Sequence, residues 1–294
     1  MQNNNICDLN EIIKTYNNKY NLDSLEVSSS ARELIVMLLA NIKKCTQNDI
    51  KLKMVSITKE DENILDKMLK EISENKIPPQ YITNTVNIYN EIYYVDSNVL
   101  IPRQDTETLI EETINLINEY KLKSMLDMCT GSGIVGISTS KNSSINNVTL
   151  LDISTKALEV SNKNIVINNV QNKCKTIQSN MFSKLYETNT KYDIITANPP
   201  YLTGNEMKEL SDFVKKEPTL ALAGGKTGLD FYINIYNNAK YFLNDGGYIA
   251  VEIGYMQAED IKNIIAKHAE YTNIQVVKDI NSKDRVIICR FQKI

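Results

Sequence analysis

A chain of 294 residues, 42% of them apolar, is long enough for one large domain or two and can bury a substantial core. Its 33 basic and 36 acidic residues leave a net charge of −3 and a pI near 5.5, which argues against affinity built on a broad phosphate-binding surface. Five scattered cysteines without a C-x-x-C spacing argue against a disulfide framework and for a reducing compartment. The single histidine, His268, falls in a stretch that reads as a surface helix and has no second histidine for a zinc pair or a triad. No N-terminal stretch resembles a signal peptide, and the longest apolar run, Leu34 to Ala40, is too short to cross a bilayer. A cytosolic protein that binds no metal is expected.

The first 78 residues read as helices only. Apolar residues return at three and four positions over Asp8–Tyr20, Ser28–Lys44 and Lys59–Lys76, with Leu34, Met37, Leu38 and Ile42 as an example. Within Ser28-Ser29-Ser30 an N-cap is available, and Glu33 can close a capping box from Ser30. Pro78-Pro79 ends the helical stretch. Ile92–Val95 and Val99–Ile101, flanking Asp96-Ser97-Asn98, predict a hairpin in a linker over residues 79–103.

From residue 104 short apolar strands alternate with helices. Strands are predicted at Ser124–Met128, Val148–Leu151, Lys175–Gln178, Asp193–Ala197, Tyr248–Glu252, Ile274–Lys278 and Val286–Phe291. Helices are predicted at Thr106–Tyr120, Ile134–Lys141, Thr155–Asn168, Gly228–Leu243 and Ala258–His268. This alternation implies right-handed crossovers and a largely parallel sheet covered on both faces. Ligands of such sheets gather at the carboxyl ends of the central strands.

Four such ends carry chemistry. Cys129-Thr130-Gly131-Ser132-Gly133-Ile134 follows the first strand and opens a helix, so Gly131 and Gly133 allow a tight turn beside free helix N–H groups. Asp152, 21 residues beyond Gly131, ends the second strand, where its carboxylate can accept both hydroxyls of a ribose. With Gly136 the loop also fits a dinucleotide fingerprint, which keeps a dehydrogenase in view. Asp127, ahead of the glycines, opposes a pyrophosphate and attracts a cationic ligand such as S-adenosylmethionine; capping the loop backbone is an equal reading. After the third strand Asn180 can bond an adenine amine and Met181 can pack on its ring, or Met181 and Phe182 can simply fill the core.

The fourth strand runs into Asn198-Pro199-Pro200-Tyr201. Two prolines stop the sheet and hold the backbone extended, because each locks φ and removes a donor. Rigid acceptors then flank the Asn198 amide, and Tyr201 offers an aromatic face. Such a group can grip a planar –NH2 by both hydrogens, although an Asn-Pro turn leaving a strand is its plain structural use. A dehydrogenase has no use for that clamp, whereas methyl transfer to nitrogen needs one.

With these residues assembled, the chain from about residue 78 onward resembles the release factor glutamine methyltransferases. Three further stretches carry the resemblance: Leu100–Glu107; Glu217-Pro218 with Ala221–Gly225 and Gly228-Leu229-Asp230; and Asp279-Ile280 with Asp284-Arg285-Val286. The helical part matches only in size and helical character. The resemblance implies a helical domain (1–78) that docks the substrate, a hairpin linker (79–103) and a seven-stranded, mostly parallel, Rossmann-like α/β methyltransferase domain (104–294). It implies methylation, from S-adenosylmethionine, of the glutamine amide in the Gly-Gly-Gln motif of class 1 peptide-chain release factors. It places cofactor contacts at Thr130, Gly131, Ser132, Gly133, Ile134, Asp152, Met181 and Asn198, to which the reading of the third strand's end adds Asn180, and the catalytic clamp at Asn198, Pro199, Pro200 and Tyr201. The expected partner is a release factor, met by a monomer without direct nucleic-acid or membrane binding. A nucleic-acid amine methyltransferase, a ribosomal-protein glutamine methyltransferase and a non-catalytic scaffold are the rival readings.

Four positions depart from the family pattern. Cys129 stands where many members have glycine, a replacement that a negative φ would allow. Asn180 stands for Asp, Gln104 for Pro, and the Gly expected after Tyr81-Ile82 is missing.

Overall fold

The structure is a computed structural model that describes residues 7–27 and 29–294. It divides into two compact units: Met1–Asn84 with Leu210–Lys216, and Thr85–Glu209 with Glu217–Ile294.

In the helical unit, α1 (Leu9–Tyr20), α2 (Ala31–Lys43), α3 (Gln47–Lys51), α4 (Lys59–Asn75) and α5 (Pro79–Thr83) follow one another. Local chemistry sets their starts. Asp8 caps α1, and Ser30–Glu33, Thr46–Asp49 and Thr58–Asp61 form complete capping boxes on α2, α3 and α4, each stabilising by about 1 kcal/mol. The predicted box at Ser30 is therefore present; Ser28 lies outside the described residues. Pro79 does not end a helix but occupies the first position of α5, where its missing N–H costs nothing. The apolar stripes meet in one core that includes Ile12, Leu34, Ile35, Leu38, Leu65 and Leu69. Phe213, from the inserted segment, is buried in the same core with the Lys76 ammonium over its ring.

The second unit begins with a hairpin, β1 (Thr85–Ile88) paired with β2 (Glu91–Tyr94). The expected pairing of 92–95 with 99–101 does not form. The reversal is at Tyr89-Asn90, whose φ values of 52° and 60° give the turn a twist that matches the strands. Without glycine that turn carries no sequence signal. Asp96 instead makes a local turn by accepting from the Asn98 N–H.

The remaining elements are α6 (Glu107–Tyr120), β3 (Ser124–Met128), α7 (Ile134–Asn142), β4 (Asn147–Asp152), α8 (Thr155–Ile167), β5 (Cys174–Gln178), β6 (Tyr192–Ala197), α9 (Glu206–Glu209), α10 (Thr219–Leu222), α11 (Asp230–Asn238), β7 (Leu243–Glu252), α12 (Ala258–Ile265), β8 (Tyr271–Lys278) and β9 (Asp284–Phe291). His268 falls just beyond α12, half-buried with its ring edge-on to Tyr271. The seven-stranded sheet has the order β5-β4-β3-β6-β7-β9-β8. Its first five strands are parallel, and β9 is antiparallel to both neighbours. All seven predicted strands are present.

Because side chains alternate along a strand, each strand serves two cores. Leu126, Ile195, Ile249 and Ile287 face one core, with Tyr232, Tyr236 and Ile261 of α11 and α12. Met125, Ile194, Ala250 and Ile288 face the other, with Leu109, Ile110 and Ile137 of α6 and α7. Burying each such aliphatic side chain contributes about 1.5–3 kcal/mol.

Candidate active site

β3 and β6 are parallel neighbours at the centre of the sheet, and the strand order reverses between them. The glycine loop leaves β3 and Asn198 leaves β6, so the two predicted features emerge side by side at the switch point.

The glycine loop is strongly kinked. Cys129, Gly131 and Gly133 have φ of 53°, 53° and 86°. The condition under which cysteine would be accommodated, a negative φ, is not met: turning the chain from β3 into α7 requires a left-handed residue at that position. A side chain there costs on the order of 1–2 kcal/mol, and burial pushes the Cys129 thiol far above its usual range. At Gly131 a Cβ would meet nothing within 4 Å, so conformation and not space calls for glycine. From below, α8 holds the loop: Ser161 Oγ donates to the Gly131 carbonyl (2.7 Å) and Asn164 Nδ2 to the Ser132 carbonyl (2.8 Å). Asn164 also donates to the Tyr94 carbonyl and accepts from the Tyr94 N–H, tying the hairpin to the loop. Neither α8 residue stood out in the sequence, since a polar side chain on a helix usually faces water.

The two acids divide their tasks. Asp127 is fully buried and accepts from the hydroxyls of Thr130 (2.5 Å) and Thr196 (2.8 Å) and from the Gly136 N–H (3.2 Å). It braces the loop, which is the capping alternative, while also lining the cavity. Burial raises its pKa to about 6 against those hydrogen bonds. Asp152 accepts one N–H on each oxygen, from Gly131 and Ser154 (2.9 Å each), and its carboxyl faces the same cavity. Each oxygen keeps a lone pair for a further donor.

A cavity of about 180 Å³ lies over these residues. Of the predicted site, Thr130, Gly131, Ser132, Ile134, Asp152, Asn180, Met181, Asn198 and Pro200 line it. Gly133, Pro199 and Tyr201 are not in its wall. Gly133 caps α7, where a Cβ would stand 2.9 Å from Ile137 Cδ1. Pro199 is buried, and the Tyr201 ring packs against the core, its hydroxyl pKa raised by burial to about 12. Met181 packs against the core and also lines the cavity. The wall is completed by Asn98, Leu100, Pro102, Leu220, Ala221 and Phe231, which no motif singled out as ligands.

The stretches that carried the resemblance meet around Asn198. Arg103 pairs with buried Glu217, whose other oxygen accepts from the Ile101 N–H (2.9 Å). Arg285 bridges Asp105 (3.0 Å) and Asp279 (3.1 Å). Asn198 Nδ2 donates to Thr106 Oγ1 at 3.3 Å, and the buried carboxyl of Glu252 ends the adjacent β7 beside both side chains. Glu252 is the residue sequence reasoning missed. Its signal was an acid closing an otherwise apolar parallel strand.

Residues 222–224 buttress the clamp. The Leu202 N–H donates to the Leu222 carbonyl (3.0 Å) and the Gly224 N–H to the Leu202 carbonyl (2.8 Å). A Cβ on Gly224 would stand 2.5 Å from the Tyr201 Cα and 2.9 Å from the Pro200 carbonyl oxygen, all backbone. Gly224→Ala is accordingly expected to displace the clamp, costing about 1–3 kcal/mol of stability and on the order of 10²-fold in turnover. Cofactor affinity stays unchanged, since the glycine loop is not pushed. A melting curve, a cofactor titration and a rate on the same variant check all three.

The methyltransferase small domain family matches residues 105–229. A release factor glutamine methyltransferase from Fusobacterium nucleatum is 36% identical over 255 residues, covering 86% of this chain and 71% of the relative. Another, from Borreliella burgdorferi, is 34% identical over 289 residues, covering 96% of this chain and 93% of the relative. The chain belongs to the release factor glutamine methyltransferase family. The 96% coverage takes in the helical part, which extends the relationship beyond the boundary near residue 78 suggested by motifs alone. Among solved structures, a methyltransferase from Pyrococcus furiosus shares the fold with a TM-score of 0.50 at 19% identity, covering 68% of this chain and 89% of that one.

The chain is thus an S-adenosylmethionine-dependent methyltransferase with the Rossmann-like sheet expected of one. Its residues fit that cofactor: a glycine loop with open space at Gly131, free lone pairs on Asp152, and Asn180 and Met181 on the same wall.

Proposed function

We propose that this enzyme methylates the side-chain amide nitrogen of the glutamine in the Gly-Gly-Gln motif of class 1 peptide-chain release factors. The observation that carries the reading is the placement of Asn198 on the cavity wall, at the strand end next to the glycine loop. Bound S-adenosylmethionine supplies an electrophilic methyl group. Thr130 to Ile134 and Asp152 hold the nucleoside end, while Asn180 and Met181 cover the base. An amide nitrogen is a weak nucleophile, because its lone pair is delocalised into the carbonyl. The Asn198 side-chain oxygen, on the cavity wall, accepts from its NH2 group, raises the electron density on nitrogen and aims it. Alignment of this kind can supply about 7–11 kcal/mol of barrier lowering. The methylated nitrogen loses its proton readily, so no strong base is required.

Mass spectrometry of release-factor peptides after incubation with the enzyme and S-adenosylmethionine tests the reading. One added methyl on the Gly-Gly-Gln glutamine is expected; a protein that binds cofactor but leaves that residue unmodified excludes it.

The helical unit is proposed to dock the release factor. Leu52 and Met54, both 70% exposed, give it an apolar surface suited to a protein partner. L52S/M54S should raise KM for the whole release factor several-fold and leave KM for a short Gly-Gly-Gln peptide unchanged. Equal effects on both substrates would remove the docking role. A monomer in the cytoplasm is proposed; the thiols of Cys45, Cys129, Cys174 and Cys289 form no disulfide, as a reducing compartment would keep them.

A further inference from the structure

Glu252 closes β7 beneath the clamp and is only 3% exposed. Its Oε2 is buried with no hydrogen-bond partner among the described residues, while Thr106 and Asn198 stand within side-chain reach of the carboxyl. Asn198 Nδ2 in turn donates to Thr106 Oγ1. A buried carboxyl oxygen left unpaired is unfavourable, and the rest of β7 from Tyr248 to Val251 is apolar or aromatic. The geometry points to Glu252 as a positioning residue that sets which face of the Asn198 amide meets the substrate. This inference rests on the clamp reading of Asn198 given above.

The argument turns on the two-sided chemistry of an amide. A carboxylate at Glu252 accepts from the Thr106 hydroxyl and from Asn198 Nδ2. That fixes the NH2 side of Asn198 inward and leaves its Oδ1 for the N–H of the substrate glutamine. A neutral carboxyl offers its own O–H, which Asn198 Oδ1 can accept, so the amide can turn and present donors to a substrate that also presents donors. Burial first, set against Thr106, Arg285 and Asn198, raises the Glu252 pKa to about 7. The charged and titratable groups facing it are Arg285 of β9, Asp105 ahead of α6, Tyr201 of the clamp and Tyr232 of α11. Arg285 favours the carboxylate and Asp105 opposes it. The ionised fraction, and with it the correctly turned amide, therefore grows as pH rises through about 7.

The test compares wild type with Glu252→Gln from pH 6 to 8.5. Wild-type kcat should climb about tenfold toward a plateau above neutral pH. In E252Q the new side-chain NH2 competes for Asn198 Oδ1. Its kcat should fall about 10- to 100-fold at pH 8 and lose the rising limb, with cofactor Kd within twofold. The side-chain amide protons of Asn198, followed by NMR in enzyme without substrate, should shift with a midpoint near 7 in wild type and stay flat in E252Q. A wild-type Asn198 amide that does not titrate, or an E252Q rate within twofold of wild type at pH 8, would overturn the positioning role. The NMR readout needs no substrate, so failure to methylate a release factor defeats the functional reading and leaves this one to stand or fall on its own.

Discussion

Asn198→Ala is expected to lower kcat by about 10³-fold or more while cofactor affinity stays within a few-fold. In the proposed mechanism its side-chain oxygen accepts from the reacting amide, whereas the nucleoside end is assigned to the glycine loop, Asp152 and the Asn180–Met181 wall, all on the cavity lining. Rates at saturating cofactor, together with calorimetric titration of cofactor into the variant, separate the two effects. A parallel collapse of cofactor binding would assign Asn198 to the cofactor instead. Asn198→Asp is the sharper variant. It keeps an acceptor but loses the donor to Thr106 and sets a second carboxyl beside Glu252, already raised to about 7 by burial. Two carboxyls at that spacing cannot both ionise, so one holds a proton at neutral pH. N198D should therefore be as inactive as N198A at pH 7, although its side chain is almost isosteric.

The second large effect is on stability. Arg285 is nearly enclosed and donates to Asp105, to Asp279 and to the Ile253 carbonyl, and the Asp279 side chain is only 1% exposed. Arg285→Ala leaves the Asp279 carboxylate buried without its cation, and such a loss costs about 3–5 kcal/mol. Differential scanning calorimetry should show a fall in Tm on the order of 10 °C. The pH dependence has a definite sign. Burial works to raise the Asp279 pKa, but the Lys283 N–H and the Arg285 guanidinium outweigh it and the net shift is downward. A depressed carboxylate stabilises the fold above its unfolded pKa, and that contribution is lost as pH falls through the folded value. The gap between wild type and R285A should therefore hold from pH 7 down to about 4 and narrow below it, as the Asp279 carboxylate takes up its proton. A gap that is constant with pH would mean that Arg285 acts through packing alone.

Much of this site was legible from local rules. The glycine loop, Asp152 and Asn198 were found because each combines a strand end with a residue type poorly suited to packing, and strand ends of a parallel sheet are where ligands gather. The hairpin was misplaced for the converse reason. Its turn at Tyr89-Asn90 has the required positive φ at both positions without glycine, so nothing in residue type announced it. Cys129 shows the same limit: its left-handed φ is imposed by the path from β3 into α7, and a lone residue type does not report its own backbone angle.

What could be read from the chain itself was whatever depends on neighbours a few residues away. The helix cap at Ser30, the strand that runs from Ser124 to Met128 and the prolines that stop β6 are all of that kind, because their physics is local. Only the folded structure decided the pairings that join distant segments. Arg285 with Asp105, Arg103 with Glu217, Asn164 with the glycine loop and Glu252 with Asn198 each bring together side chains that look ordinary in isolation. Burial then changes their chemistry: the same carboxyl that would be a solvated charge on a surface becomes, at Glu252, a group poised near neutral pH.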